Sequence, residues 1–311
     1  MKKIILIALM SLSVFAGNLS QRYMDIKENL NSEYDNYLIN KYKNVTVVFL
    51  PGILSETAID GSKQPINFSL IVGDYFKDSM DWLKEKRIKH KRIIVESEDT
   101  VDKNSKYIAK ELKKIKGKIF VISHSKGGVE FLNVLLENKD IRKRTVGWVA
   151  MQTPFYGAYI ADFFSQTRVI NIGTRWVFSF FGGSIDGLRS LSPSVLVPFQ
   201  RENQGYISEM LKKVKFLQYV SYIENEFGPE SPLESVRDLI TLKRGRNDGL
   251  VEVSSAYLPF GNYIIEEGVD HLATVLNFKN VRLLPSVINR YKNWRFDRVA
   301  HVKTLLYLNA D

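Results

Sequence analysis

Ile119-Phe-Val-Ile-Ser-His-Ser-Lys-Gly-Gly-Val129 is the stretch whose reading decides the fold. Four apolar residues, Ile119 to Ile122, read as a buried strand. They run straight into Ser123-His124-Ser125-Lys126-Gly127-Gly128, and a helical pattern follows with Val129, Leu132, Val134, Leu135 and Leu136. A serine on a strained strand-to-helix turn, flanked by small residues so that the turn can close, is a nucleophile elbow. It points to acyl transfer through a serine. It also asks for an acid and a histidine further along, in that order.

Both partners follow in the required order. Asp248 lies in Arg246-Asn-Asp-Gly-Leu-Val-Glu-Val-Ser-Ser255, after the apolar run Leu239-Ile-Thr-Leu242, which reads as its strand. His271 lies in Gly268-Val-Asp-His-Leu-Ala-Thr-Val275, after the strand-like Tyr263-Ile-Ile265. The chain has 4 histidines. His90 sits in the basic run Lys89-His-Lys-Arg92, His124 beside the serine reads as pointing elsewhere on the turn, and His301 falls in a C-terminal helical pattern. That leaves His271 as the base. Singly, Ser-x-x-Gly, a turn-forming Asn-Asp-Gly and a lone histidine say little; together, in order, they make a catalytic set. Asp270 abuts His271 in sequence, which makes its side-chain geometry awkward, so Asp248 is the expected acid. A free histidine titrates near ~6.5, so a fall of activity on the acid side is expected.

Around the elbow, apolar strands alternate with amphipathic helices. Residues 18–43 read as an N-terminal helix, 45–50 as a core strand, 75–86 as a helix, 92–96 as a strand, 105–116 as a helix and 144–151 as a strand. Such alternation argues for a mostly parallel sheet with helices on both faces. It breaks from Phe155 to about Lys213, a stretch carrying Arg175-Trp-Val-Phe-Ser-Phe-Phe181 beside Gly182-Gly183. The sheet resumes with Phe216 to Ile223. Residues 283–292 and 297–308 read as closing helices.

The residues resemble the bacterial lipase branch of the α/β-hydrolase fold. Val47-Val-Phe-Leu-Pro-Gly-Ile53 is similar to that family's strand ending in His-Gly-x, and Ser123-His-Ser-Lys-Gly127 to its Gly-x-Ser-x-Gly elbow. Thr153-Pro-Phe-Tyr-Gly-Ala-Tyr-Ile-Ala-Asp162 resembles Pro-His-x-Gly-Ser-x-x-Ala-Asp, which opens the lid. Asp248-Gly-Leu-Val and Asp270-His271 resemble the acid and base loops. The resemblance spans roughly residues 44–280. It implies an α/β-hydrolase with an inserted helical cap or lid at about 155–213. Ser125, Asp248 and His271 would be its catalytic triad, and the backbone N–H groups of Ile53 and Lys126 its oxyanion hole. Trp176, Phe178, Phe180 and Phe181 of the insertion would form a surface for acyl chains. Four departures stand out. Pro51 replaces a histidine, Ser123 the first elbow glycine, and Phe155 another histidine. Ala273 stands where calcium-dependent members carry an aspartate, so no metal and no cofactor is expected.

Composition narrows the rest. Residues 1–16 have Met1-Lys-Lys, a short apolar core and Val14-x-Ala16 before Gly17, which reads as a Sec signal peptide and implies a periplasmic or extracellular protein. The apolar run is short for a membrane span, which needs about 20 residues. The mature chain, residues 17–311, reads as one domain. With 0 cysteines it has no disulfide, and 45% hydrophobic content excludes disorder. The net charge is +10. Its lysines are scattered, which reads as solvated helix faces; the alternative is attraction to an anionic membrane surface. No motif supports nucleic-acid binding. The expected substrate is an acyl lipid or other carboxylic ester. The rivals are a short-chain esterase, a phospholipase, an acyltransferase, a catalytically silent hydrolase-like protein that binds a lipid or a partner, and an envelope-anchored structural protein.

Overall fold

The computed structural model describes residues 17–53, 74–96, 99–166, 185–224, 231, 233–277 and 295–310. Residues 1–16, expected to be a signal peptide, the aromatic run 175–181 and the helix expected at 283–292 lie outside them.

Six strands form one sheet in the order β2-β1-β3-β4-β5-β6, every neighbouring pair parallel. They are β1 (Val45–Leu50), β2 (His90–Arg92), β3 (Lys118–His124), β4 (Thr145–Met151), β5 (Lys215–Tyr222) and β6 (Asn262–Glu267). The central strands are apolar on both sides, as a sheet covered on both faces requires. Val47, Phe49, Phe120, Ile122, Val149 and Met151 enter one core. The alternate residues Val48, Leu50, Val121, Trp148 and Ala150 enter the other.

Helices α1 (Ser20–Glu28), α2 (Ser32–Tyr42) and α3 (Lys77–Glu85) feed the first core, and so does the last helix, α11 (Arg298–Ala310). The second core is covered by α4 (Val101–Lys114), α5 (Lys126–Glu137), α6 (Lys139–Arg144) and α9 (Pro193–Leu211). The layout expected from the alternation is therefore present. The segment after β4 is helical in its described parts: α7 (Tyr159–Gln166), α8 (Ile185–Arg189) and α9.

Three local expectations are corrected. Residues 18–43 make two helices, because Asn31 starts the second by accepting a hydrogen bond from the Glu33 N–H at 2.9 Å. The edge strand β2 covers only His90–Arg92; Ile93 and Val95 remain buried beyond the paired stretch. The run Leu239 to Leu242 belongs to helix α10 (Glu234–Arg244), not to a strand. Its buried residues are Val236, Arg237 and Ile240, at helical spacing, and Leu242 is 82% exposed.

Residues 17–42 pack against β6 and residues 298–310 on one face. Gly17 to Leu19 pair with the outer edge of β6 through Leu19 N–H to Tyr263 O at 2.8 Å and Tyr263 N–H to Gly17 O at 2.9 Å. Tyr23 on α1 shares a 2.6 Å hydrogen bond with Nδ1 of His301 on α11. The rings of Tyr219 and Phe296 close around that imidazole at 4.5 and 5.2 Å. Burial holds His301 well below the usual histidine range, and the charges of Lys27 and Arg298 act in the same sense. His124, also buried, is held low as well.

A histidine kept neutral by the fold takes up its proton only on unfolding. The stability it supports is therefore complete above the free-histidine range near ~6.5 and is lost as pH falls below it, at up to about 1.4 kcal/mol per pH unit for each histidine. Urea unfolding at pH 7.5 and 5.5 is expected to show this loss. His301→Gln should reduce the slope by about one proton, while lowering stability at both pH values.

Candidate active site

β3 delivers its chain to Ser125 at the carboxyl end of the sheet, and α5 starts at the next residue. Ser125 has φ 54° and ψ −129°, a left-handed backbone that is costly for a residue with a side chain. The neighbouring backbone holds it there. Ser125 N–H donates to Met151 O at 2.9 Å, and Gly128 N–H donates to Ser125 O at 3.0 Å. Two glycines let the loop after β1 press against the turn. A Cβ on Gly52 would lie 2.7 Å from Cβ of Ser125, and one on Gly127 would lie 2.5 Å from Pro51 O. Ser123, in place of the elbow's first glycine, is buried and accepts a 2.8 Å hydrogen bond from Trp148 Nε1.

The acid and the base meet. His271 Nδ1 is 2.8 Å from Asp248 Oδ2, and both side chains are buried. The other carboxylate oxygen, Oδ1, accepts from the N–H groups of Leu250 at 3.0 Å and Val251 at 2.8 Å. His271 N–H donates to Asp248 O at 2.9 Å, so backbone and side chain fix the pair together. The turn carrying Asp248 is reached from helix α10, and Ile223 N–H, just past β5, ties it to the sheet through Asn247 O at 3.0 Å.

Asp270 is occupied elsewhere. Its Oδ1 accepts from Leu272 and Ala273 N–H, each at 2.9 Å, and its Oδ2 from Ser231 Oγ at 2.6 Å. Its carboxylate shapes the loop that carries the base.

Ser125 and His271 line one cavity, with Ile53, Tyr75, Pro154, Ala158, Leu191, Leu250, Val251 and Leu272. The walls are mostly apolar, and Ala158 and Leu191 belong to the segment inserted after β4. Ala158 N–H donates to Leu191 O at 2.9 Å, which holds these two cavity-lining residues together. Ile53 is thus beside the nucleophile, and Lys126 is the first residue of α5, whose leading N–H groups lack intrahelical acceptors. The Lys126 side chain is buried, with Nζ donating to Asp99 O and lying 3.5 Å from Glu130 Oε1. Phe155 is fully buried against Trp148 and Phe216, so it serves the core. Trp176, Phe178, Phe180 and Phe181 lie outside the described residues.

One group was misread from the sequence. His124 does not point away from the site; it lies under it. Its ring is 4.5 Å from that of His271, centre to centre. Its Nε2 faces two acceptors at 3.0 Å, His271 O and Gln152 Oε1, so Nε2 carries the proton. Nδ1 then accepts from the Tyr75 hydroxyl at 2.6 Å, and that oxygen accepts from Gly52 N–H at 3.3 Å. Gln152 continues the network, donating to Ser221 Oγ at 2.7 Å and Asp270 O at 3.0 Å and accepting from Thr274 Oγ1 at 2.8 Å. Burial raises the Tyr75 hydroxyl and lowers His124, so both stay neutral. This chain links the Gly52–Ile53 loop to the loop of the base. The signal available in sequence was His124 itself, a polar residue between two buried positions of the elbow.

The pairing has a spectroscopic consequence. With ¹⁵N-labelled histidine, the low-field Nδ1 proton of His271 is expected to disappear in Asp248→Asn and to persist in Asp270→Ala. The second variant should instead lose about 1–3 kcal/mol of stability, since three donors lose their acceptor.

No family model matches the chain, and no curated protein matches it in sequence. Solved structures do match. A metagenomic carboxyl esterase is 21% identical, with a TM-score of 0.66 over 86% of this chain and 75% of that one. The mature form of a Bacillus licheniformis lipase is 19% identical, with a TM-score of 0.59 over 74% and 85%. Lipase 1 from Pelosinus fermentans is 11% identical, with a TM-score of 0.51 over 86% and 99%. The fold of this chain is that of the α/β-hydrolases.

Proposed function

We propose that this chain is a serine hydrolase that cleaves carboxylic esters, with acyl lipids as its substrate class. The observation that carries the reading is the meeting of three ordered motifs. A strained serine lines one apolar cavity with a histidine whose Nδ1 is held by a buried carboxylate. The fold shared with esterases and lipases supports it.

In this reading Ser125 Oγ attacks the acyl carbonyl, and His271 Nε2 takes its proton. Asp248 fixes the Nδ1–H tautomer and stabilises the imidazolium that forms. The N–H groups of Ile53 and Lys126 bind the oxyanion; one such donor typically contributes about 3 kcal/mol. His271 passes the proton to the leaving alcohol, and water cleaves the acyl-enzyme by the same steps in reverse roles. The apolar walls suit an acyl chain and exclude water from the oxyanion. Export through the leader at residues 1–16 belongs to the same reading.

Turnover of an ester series from short to long acyl chains, with a phospholipid included, tests the substrate class. Activity rising with chain length is expected. Confinement to short soluble esters would make the protein an esterase, and transfer to an added alcohol in place of water would make it an acyltransferase. Ser125→Ala should fold normally, lose labelling by a fluorophosphonate and lose about 10⁶-fold in turnover. Substantial activity in that variant would remove Ser125 from the role.

A further inference from the structure

The lysines that look scattered in sequence are gathered by the fold. All six strands are parallel, so they start at one end of the sheet, opposite Ser125 and His271. The register places Val45 beside Lys118, Ile119 beside Thr145 and Gly147 beside Lys215, so β1, β3, β4 and β5 begin side by side. At about 4.8 Å per strand their starts span on the order of 15 Å. Each is led in by a basic segment: residues 41–45, 113–118, 142–145 and 212–215 contain no acidic residue. Lys41, Lys43, Lys116, Lys118, Lys143 and Lys213 are exposed. Among the described residues none of these six is in an ion pair. Two carboxylates that approach this end are already engaged, Glu111 by Lys91 and Lys114, and Glu209 by Lys212; Asp140 at the start of α6 is exposed.

A cavity of about 220 Å³ opens in the middle of this face. Lys41, Lys118 and Lys215 stand around it, with Tyr42, Phe120 and Val146 as apolar lining. Asn309 and Ala310 also line it, and Lys215 Nζ donates to Ala310 O at 3.0 Å. Ammonium groups around a partly apolar pocket match a phosphodiester. The outward-facing charge is lysine, a point charge without the fork that reads base edges.

We propose that this face docks on an anionic phospholipid bilayer, and that the cavity takes one phosphodiester headgroup. The face is separate from the ester-cleaving site and does not depend on it. β3 has 7 residues from its start to His124, so the nucleophile stands roughly 23 Å from the docking end. A protein held this way presents its active site away from the bilayer that holds it. It takes esters from the aqueous side or from an apposed surface.

The test is co-sedimentation of the full chain with vesicles of phosphatidylglycerol and phosphatidylcholine, against phosphatidylcholine alone. The wild type should bind the anionic vesicles and not the neutral ones. Lys43, Lys116, Lys143 and Lys213 changed together to Gln should weaken binding several hundred-fold, at roughly fivefold per lysine. A control with the same charge loss, Lys77, Lys103, Lys106 and Lys243 changed to Gln, should bind as the wild type does. Lys118→Gln should weaken phosphatidylglycerol binding more than Lys106→Gln does. Both quadruple variants should hydrolyse a short soluble ester at the wild-type rate, and the sedimentation arm reads even if no ester is cleaved. Equal loss in the two quadruple variants would mean diffuse net charge and overturn the assignment. Binding to soluble polyphosphate without binding to vesicles would overturn it too.

Discussion

Everything at the candidate site depends on the left-handed backbone of Ser125. A residue with a Cβ does not rest at φ 54° unless its surroundings impose it. Here the imposition comes from two sides. β4 receives the serine's N–H at Met151 O, and the loop after β1 presses its glycine against the serine's Cβ. Because the strands are parallel, both constraints arise at the same end of the sheet as the loops that bring Asp248 and His271. The strained turn therefore works as a datum from which the other groups are positioned. Its cost is borne by two cores, one on each face of the sheet.

The polar network under the cavity shows how separate loops are kept in register. A neutral histidine and a neutral tyrosine join the Gly52 loop to the base loop, with Gln152 tying both to β5 through Ser221. Its named donors and acceptors are paired in full burial, where an unpaired polar group would be costly. Such a network resists small displacements better than apolar contacts do, because each hydrogen bond has a direction as well as a distance. This is the kind of support that holds reacting groups to within fractions of an ångström.

Much of this was legible in the sequence because it is local. The elbow is eleven consecutive residues, and the acid and base follow it in a fixed order; His271 and Asp248 meet as expected. What was not legible is what only topology creates. Leu239 to Leu242 looked like a strand because four residues carry too little periodicity to separate the two structures, and the helix became clear only from Val236, Arg237 and Ile240. His124 was read as pointing away because the partners that claim it, Tyr75, Gln152 and His271 O, come from three distant segments. The lysines looked diffuse because no single stretch of sequence holds the whole set. Parallel strands bring their leading residues together across the sheet, and a one-dimensional reading has no term for that.

The packing of residues 17–42 against β6 and residues 298–310 has a kinetic consequence. Tyr23 bonds to a residue 278 positions later, and Tyr42 to the carbonyl of Leu306, 264 positions later. The outer edge of β6 is paired with residues 17–19, near the other end of the sequence. During synthesis the first helices therefore emerge long before the helix and strand they pack on. They cannot reach their final surroundings until residues 298–310 have been made. Contacts of such long range form late and slowly. Closure of this seam therefore has to wait for residues 298–310, and until they are free the nascent polypeptide stays open to threading or capture.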